Sequence, residues 1–273
     1  MLNLLFPQWQ GAGNIRLYEG AKRLYGFLPS REPFVEVPVT STYSIAATEN
    51  VLGLNQISAQ LSCAADIISQ RDPERIFTLG GDCGVEVAPI SYLNRKHNEL
   101  AVIWLDAHGD LNTPASSPSK HFHGMPLRSL LGQGNTHITS QAFSTLVPSQ
   151  IFLVGTRELD KPERAFIKQN GLRIFSASSV NKGQNEPLLA AISAAGFRKI
   201  YIHLDLDVLE PTDFPHVACR TPGGIRVSCL KQLLSGLIGR FESVGASVLE
   251  FLPTGSSVDG ISEAASLVGI VQL

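Results

Sequence analysis

The stretch that decides the fold reads AVIWLDAHGD over residues 101–110. Its first half is continuously apolar, and its second half carries two carboxylates and an imidazole. An apolar run of this length, without polar alternation, is typical of a central strand that is buried on both faces of a parallel sheet. The polar residues follow the carboxyl end of that strand, which is where open α/β sheets bind ligands. The stretch therefore predicts a parallel sheet with a polar site at one edge.

Strand-like and helix-like segments alternate along the rest of the chain. Short apolar, β-branched runs predict strands at 3–6, 34–37, 75–79, 101–105, 150–154, 172–175, 199–204 and 247–251. Amphipathic stretches predict helices at 15–27, 50–70, 84–97, 162–170, 186–195, 228–240 and 260–271. This alternation is typical of βαβ units. We expect a single α/β domain over residues 1–273, in which three layers are built on a mainly parallel sheet of about eight strands flanked by helices.

The composition excludes several classes of protein. Hydrophobic residues make up 44% of the 273 residues and charged residues 17%, with a net charge of −2. No basic cluster is large enough to bind nucleic acid. No apolar run approaches the ~18 residues that span a bilayer, and the N-terminus does not resemble a signal peptide. The four cysteines form no CxxC pair, so we expect reduced thiols and a cytoplasmic location.

Two further polar segments follow predicted strands. Residues 205–207 read DLD, after the strand at 199–204, and residues 80–84 read GGDCG, after the strand at 75–79. Carboxylates that converge without basic partners repel one another, and burial adds a desolvation cost. Divalent cations relieve this cost, and carboxylates with one imidazole suit an ion such as Mn²⁺. Taken singly, each segment could instead be a polar turn with capping carboxylates.

In this order and combination, the segments GGD, DAHGD and DLD resemble the ureohydrolase superfamily of arginases, agmatinases, guanidinobutyrases and formimidoylglutamases. The resemblance runs from about residue 75 to residue 255. It implies the arginase fold and a binuclear Mn²⁺ centre, in which Asp106 and Asp205 bridge both ions. Asp110 would then serve one ion, and His108 and Asp207 the other. It further implies that a bridging hydroxide attacks the guanidinium carbon and releases urea and an amine.

The resemblance also assigns residues that handle the substrate. His123 matches the histidine that shuttles a proton to the departing amine, and Glu250 matches the glutamate that holds the guanidinium group. Asn112 and Ser119 match residues that receive the α-carboxylate of an amino acid, and Asp160 matches the acid that recognises its α-ammonium group. Together these residues favour arginine or an analogue over decarboxylated substrates. Alternatively, Asp160 caps the helix that follows it.

Cys83 departs from the family, which usually has histidine there as a metal ligand. The thiolate could bind a softer ion such as Zn²⁺, Fe²⁺ or Co²⁺, or the site could be half occupied, or the chain could be an inactive relative. Arginase-like proteins with this change include hydrolases of Nω-hydroxy-arginine. The less basic guanidine of that substrate would tolerate a weaker second metal. Retention of the other ligands argues against an inactive relative.

Other functions stay open at this point. The resemblance allows an agmatinase, a formimidoylglutamase-type hydrolase or a non-catalytic homologue, and zinc deacetylases share a related α/β architecture. The paired carboxylates of residues 205 and 207, together with Glu250, favour a ureohydrolase. The expected partner is therefore a small guanidino substrate. The resemblance also implies a homo-oligomer, either a trimer or a hexamer.

Overall fold

The strand predicted at 101–105 lies inside the main sheet of the computed structural model, which describes residues 1–29, 33–41, 45–254 and 258–272. The strands in these residues are β1 Leu2–Phe6, β2 Phe34–Glu36, β3 Ala47–Thr48, β4 Val51–Leu52, β5 Ile76–Gly80, β6 Leu100–Leu105, β7 Ile151–Val154, β8 Arg173–Phe175, β9 Lys199–Asp205 and β10 Glu242–Leu249. The main sheet has eight strands in the order β2-β1-β5-β10-β9-β6-β7-β8, and every pairing in it is parallel. The predicted sheet is thereby confirmed.

Helices cover both faces of the sheet. They are α1 Arg16–Phe27, α2 Leu54–Arg71, α3 Val87–Lys96, α4 Pro126–Leu130, α5 Thr136–Thr139, α6 Lys161–Asn170, α7 Ala177–Asn181, α8 Glu186–Ala194, α9 Val227–Arg240 and α10 Val258–Val271. Alternate residues of β6 enter different apolar clusters, Val102 and Trp104 on one face and Ile103 and Leu105 on the other. This alternation produces the expected three-layer α/β domain. Among the described residues, no helix is long and apolar enough to cross a membrane.

The boundaries of two predicted elements were wrong. The helix predicted at 50–70 begins only at Leu54, because Gly53 adopts a left-handed conformation with φ 70° and the hairpin β3–β4 precedes it. The strand predicted at 247–251 runs from Glu242 to Leu249. Its first residues include a glutamate, a serine and a glycine. Because these residue types have low strand propensity, the sequence pattern did not indicate where the strand begins. The short helices α4, α5 and α7 were not predicted.

Gly81 fixes the loop that carries Cys83 against the end of β1. A Cβ atom at Gly81 would lie 1.8 Å from the backbone oxygen of Gln8, so no side chain fits. We expect Gly81→Ala to lower the free energy of unfolding by about 3 kcal/mol, measured by chemical denaturation. The matched control is Gly26→Ala in α1, where nothing lies within 4 Å, and it should be neutral or stabilising by up to about 1 kcal/mol. Equal stabilities of the two variants would contradict this account.

Candidate metal centre

The parallel register brings the carboxyl ends of four strands to one edge of the sheet. Leu204 of β9 pairs with Leu105 of β6 on one side and with Val248 of β10 on the other, and Val248 in turn pairs with Leu79 of β5. The polar segments that follow these strands therefore emerge side by side. This register explains why residues far apart in the sequence form one site.

All six residues predicted as metal ligands meet at this edge. Within the described part of the chain, four overlapping groups offer ligand atoms within 4.8 Å of one another: Cys83, Asp106, Asp110 and His203; His108, Asp207 and Cys219; Cys83, Asp205 and Glu250; and Asp106, Asp205 and Asp207. The cluster also contains three side chains that the sequence did not single out as ligands: Glu250, predicted to bind substrate, and His203 and Cys219. His203 lies two residues before Asp205 on β9 and so shares its face, which is the signal that could have found it.

Backbone amides hold the carboxylates at the strand ends. The amide of His108 donates a 2.7 Å hydrogen bond to Asp106 Oδ1, and the amide of Asp207 donates one of the same length to Asp205 Oδ1. The amide of Ala107 donates to Asp207 Oδ1 at 3.1 Å. The imidazole of His108 completes this part of the cluster, with Nδ1 3.0 Å from Asp207 Oδ2. The acids are therefore oriented by the turns that follow β6 and β9.

The electrostatics of the cluster fit divalent cations. Burial and neighbouring carboxylates raise the pKa values of Asp110 and Asp205 well above the usual range. Asp110 is 4% exposed and adopts a left-handed φ of 54°, and its Oδ2 atom is buried without a hydrogen-bond partner. A buried acceptor without a partner costs free energy, and bound cations would supply one. Carboxylates, imidazoles and a thiol are also the donor types that such ions use.

His123 and Glu250 form a pair beside this cluster, in which Glu250 is buried and His123 is half-buried. His123 Nδ1 lies 3.1 Å from Glu250 Oε1, and Glu250 is 3% exposed. Burial alone would lower the pKa of His123, but the hydrogen bond to Glu250 and its charge raise it overall. Glu250 adopts a φ of 61°, and its amide donates to the Gly81 oxygen at 2.7 Å. The arrangement presents a proton donor next to a carboxylate at the edge of the cluster.

A cleft opens above the cluster, lined in part by Asn112, Ser119 and Asp160. Asn112 Nδ2 donates to Asp160 Oδ2 at 2.8 Å, so two predicted substrate residues are in direct contact. Asp160 is also the N-cap residue of α6, so the capping alternative describes its position correctly.

Glu163 lines the same cleft but was missed by the sequence analysis. Its carboxylate accepts hydrogen bonds from the amides of Leu111 at 3.0 Å and Asp160 at 2.8 Å. It therefore ties together the two loops that carry Asn112 and Asp160. The spacing of Asp160 and Glu163 is that of a capping box, and this signal could have found it.

Comparisons with known proteins agree with this geometry. The sequence profile of the arginase family matches residues 19–270. The arginase of Staphylococcus aureus (strain COL) is 36% identical over 181 residues, which are 65% of this chain and 59% of that protein. The arginase of Bacillus subtilis (strain 168) is 31% identical over 223 residues, covering 79% of this chain and 74% of that protein.

Solved structures share the fold. An Entamoeba histolytica arginase, solved in complex with L-ornithine, superposes with a TM-score of 0.89 at 22% identity, covering 99% of this chain and 97% of the other. Together, the matched profile, the two bacterial relatives and the eight-stranded sheet show that the chain belongs to the arginase family.

Proposed function

We propose that the protein is a metal-dependent ureohydrolase that cleaves the guanidinium group of arginine, or of an analogue such as Nω-hydroxy-L-arginine. The products would be ornithine with urea or hydroxyurea. The observation that carries the proposal is the cluster of buried acids and imidazoles directly beside the His123–Glu250 pair, at the base of a cleft. Two Mn²⁺ ions are the proposed cofactors. Asp106 and Asp205 would hold both, Asp110 and Cys83 one, and His108 and Asp207 the other.

The chemistry divides between the cofactor and the chain. When bound, such ions lower the pKa of water and so supply a nucleophile at neutral pH. The carboxylate of Glu250 would accept hydrogen bonds from the substrate guanidinium and hold its carbon beside the cluster. His123, whose pKa is raised by Glu250, would carry a proton and donate it to the nitrogen of the leaving amine.

The outer part of the cleft selects the substrate. Asn112 and Ser119 would receive the α-carboxylate of an amino acid, and Asp160 its α-ammonium group. A cleft that presents such polar groups disfavours analogues that leave them unpaired. We therefore expect arginine-type substrates to be preferred over agmatine, which lacks the carboxylate.

A metal-reconstituted product-release assay tests the proposal. The substrates are arginine, Nω-hydroxy-arginine, agmatine, 4-guanidinobutyrate and formimidoylglutamate, and each is assayed after chelation and after return of Mn²⁺. We expect turnover of one or both α-amino acid guanidines, complete loss on chelation and recovery with Mn²⁺. If none of the five substrates is hydrolysed with any divalent ion, the proposal is refuted. One tightly held Zn²⁺ per chain, with amide hydrolysis, would favour a deacetylase instead.

Asp160→Asn tests the assignment of the α-ammonium site. Asparagine is an equally good N-cap residue, so α6 should keep its start while the charge disappears. We expect kcat/KM for the amino acid substrate to fall about tenfold or more, because a charge-assisted hydrogen bond contributes ~1.5–3 kcal/mol. The matched substrate is 5-guanidinopentanoate, which is arginine without its α-amino group, and its kcat/KM should change little. An equal loss on both substrates would assign Asp160 to helix capping alone.

Assembly into a trimer or hexamer and a cytoplasmic location stay predictions. Light scattering of the purified protein at several concentrations measures the first, and fractionation of the source cells measures the second.

A further inference from the structure

His203 lies at the bottom of the metal cluster and takes no part in the function proposed above. It is fully buried on β9. Its Nε2 atom is 3.6 Å from Asp106 Oδ2 and 3.9 Å from Cys83 Sγ. A histidine in this place faces an acid and a thiol that are themselves ligand candidates, so its free ring nitrogen is directed at the cluster.

The other ring nitrogen of His203 is fixed by a buried carboxylate. Nδ1 lies 2.7 Å from Glu86 Oε1, and Glu86 also accepts hydrogen bonds from the hydroxyl of Tyr201 at 2.7 Å and from that of Ser247. Glu86 is fully buried. A carboxylate can only accept a hydrogen bond, so Nδ1 carries the proton that it donates to Glu86. Nε2 is then the ring nitrogen that faces the cluster. Histidines that bind metals commonly donate their other N–H to a carboxylate in this way.

The plane of the His203 ring is fixed as well. The Trp104 side chain stacks on it with a centroid separation of 3.5 Å and an interplanar angle of 12°. The indole Nε1 of Trp104 donates to Asp106 Oδ2 at 3.1 Å, so the same side chain positions an acid of the cluster. Stacking and the Glu86 hydrogen bond together hold Nε2 in place before any ion binds.

We propose that four ligand atoms, from His203, Cys83, Asp106 and Asp110, bind one cation together, in addition to Asp205, which would hold both ions. The four ligand atoms lie within 4.8 Å of one another, and Oδ2 of Asp110 is the buried acceptor that has no partner. Two atoms bound to one ion at about 2.0–2.3 Å lie at most about 4.4 Å apart, and the 3.9 Å between Cys83 and His203 satisfies this. As the ion binds, the S–H bond of Cys83 breaks, its proton passes to water and the sulfur bonds to the ion.

This ligand set makes the two metal positions chemically different. An imidazole and a thiolate among the carboxylates favour Zn²⁺, Co²⁺ or Fe²⁺ over Mn²⁺. The inference rests on the metal centre of the proposed function but not on its substrate. We therefore expect the position of Cys83 and His203 to bind Co²⁺ or Zn²⁺ more tightly than Mn²⁺.

Titration of the metal-free protein with Co²⁺ tests the ligand set without any measurement of activity. The thiolate should give a near-ultraviolet charge-transfer band that is lost in Cys83→Ser. The band should persist in Cys219→Ser, which alters the thiol near His108. Loss of the band in Cys219→Ser with persistence in Cys83→Ser would overturn the proposal.

Replacement of His203 tests the imidazole. The amide of glutamine can still donate to Glu86, so His203→Gln keeps that hydrogen bond. We expect the affinity for one of the two Co²⁺ ions to fall at least about 10–100-fold. Replacing a residue that only hydrogen-bonds to a metal ligand already lowers metal affinity by this factor. The control is His97→Gln, a buried histidine whose Nε2 contacts the Glu74 oxygen instead of the cluster. Wild-type affinity and spectrum in His203→Gln would overturn the proposal.

A second variant covers the case in which His203→Gln does not fold. His108→Gln removes the other imidazole of the cluster, and X-ray absorption is then measured with one equivalent of Zn²⁺. The proposal requires scattering from both sulfur and imidazole, and the absence of either would overturn it. If the protein passes these metal tests but hydrolyses no guanidino substrate, this inference stands and the proposed function is refuted.

Discussion

Replacing Asp205 by Asn is expected to remove the binding of at least one cation and to lower product release from the guanidino substrate at least about 10³-fold. The factor corresponds to the several kcal/mol that a bound ion contributes to the transition state. Asp205 lies within the acidic cluster, with Oδ2 3.1 Å from Cys83 Sγ and Oδ1 accepting from the Asp207 amide. Metal content is measured by elemental analysis after gel filtration. Asp66→Asn, at an exposed position of α2, is the control.

The same variant should leave the metal-free protein at least as stable as the wild type above neutral pH. Burial and the nearby charges of Asp207 and Asp106 raise the pKa of Asp205 in the folded state. The folded protein therefore binds more protons than the unfolded chain, so its stability falls as pH rises from the unfolded pKa toward the folded one. Asparagine removes that penalty. Denaturation of the chelated proteins at pH 8 separates loss of metal from loss of fold, and a destabilised variant would contradict this electrostatic account.

Replacing Glu250 by Gln is expected to lower kcat/KM by roughly two orders of magnitude. Removing one partner of a buried charge pair costs about 2–5 kcal/mol, and 1.36 kcal/mol corresponds to tenfold. Glu250 is buried, contacts His123 and lines the cleft, and these contacts support the proposal that its carboxylate binds the guanidinium group. Glu242→Gln, exposed at the start of the same strand, should retain full activity.

Two further measurements on Glu250→Gln separate its roles. Glu250 also lies within ligand distance of Cys83 and Asp205, so elemental analysis decides whether it binds substrate or metal. We expect unchanged metal content, and a lost ion would reassign Glu250 as a ligand. The variant should also lower the pKa of His123, because the carboxylate that raises it has gone. In an NMR titration of the histidine ring protons His123 would then lose its proton at lower pH, and activity would decline earlier on the alkaline side.

The fold could be predicted because its strands are buried on both faces. A run such as residues 101–105 has no polar alternation, and seven of the eight main strands were located to within one residue, β10 being the exception. The hairpin β3–β4 and the short helices were not predicted. Segments of two to five residues have too few side chains to show a hydrophobic periodicity. The late start of α2 depended on one backbone angle at Gly53.

The cluster of acids and His108 at the strand ends could also be predicted, since these residues lie two apart in the DAHGD and DLD segments. Glu163, in the first turn of α6, and Cys219, in a loop, were missed because they approach the site from distant parts of the chain, and sequence separation says nothing about such contacts. His203 was missed because it lies within an apolar strand, where a histidine has no neighbouring motif to mark it.

The sequence by itself determined the order of strands and helices, the acids that follow β6 and β9, and the membership of the family, because each depends on local spacing and burial pattern. Only the tertiary structure decided which residues face one another: that His203 Nε2 lies near Cys83, that Glu86 contacts the Nδ1 atom of His203, and that Oδ2 of Asp110 is buried without a hydrogen-bond partner. These relations follow from the parallel register of β5, β10, β9 and β6, which sets distances between residues more than 100 positions apart.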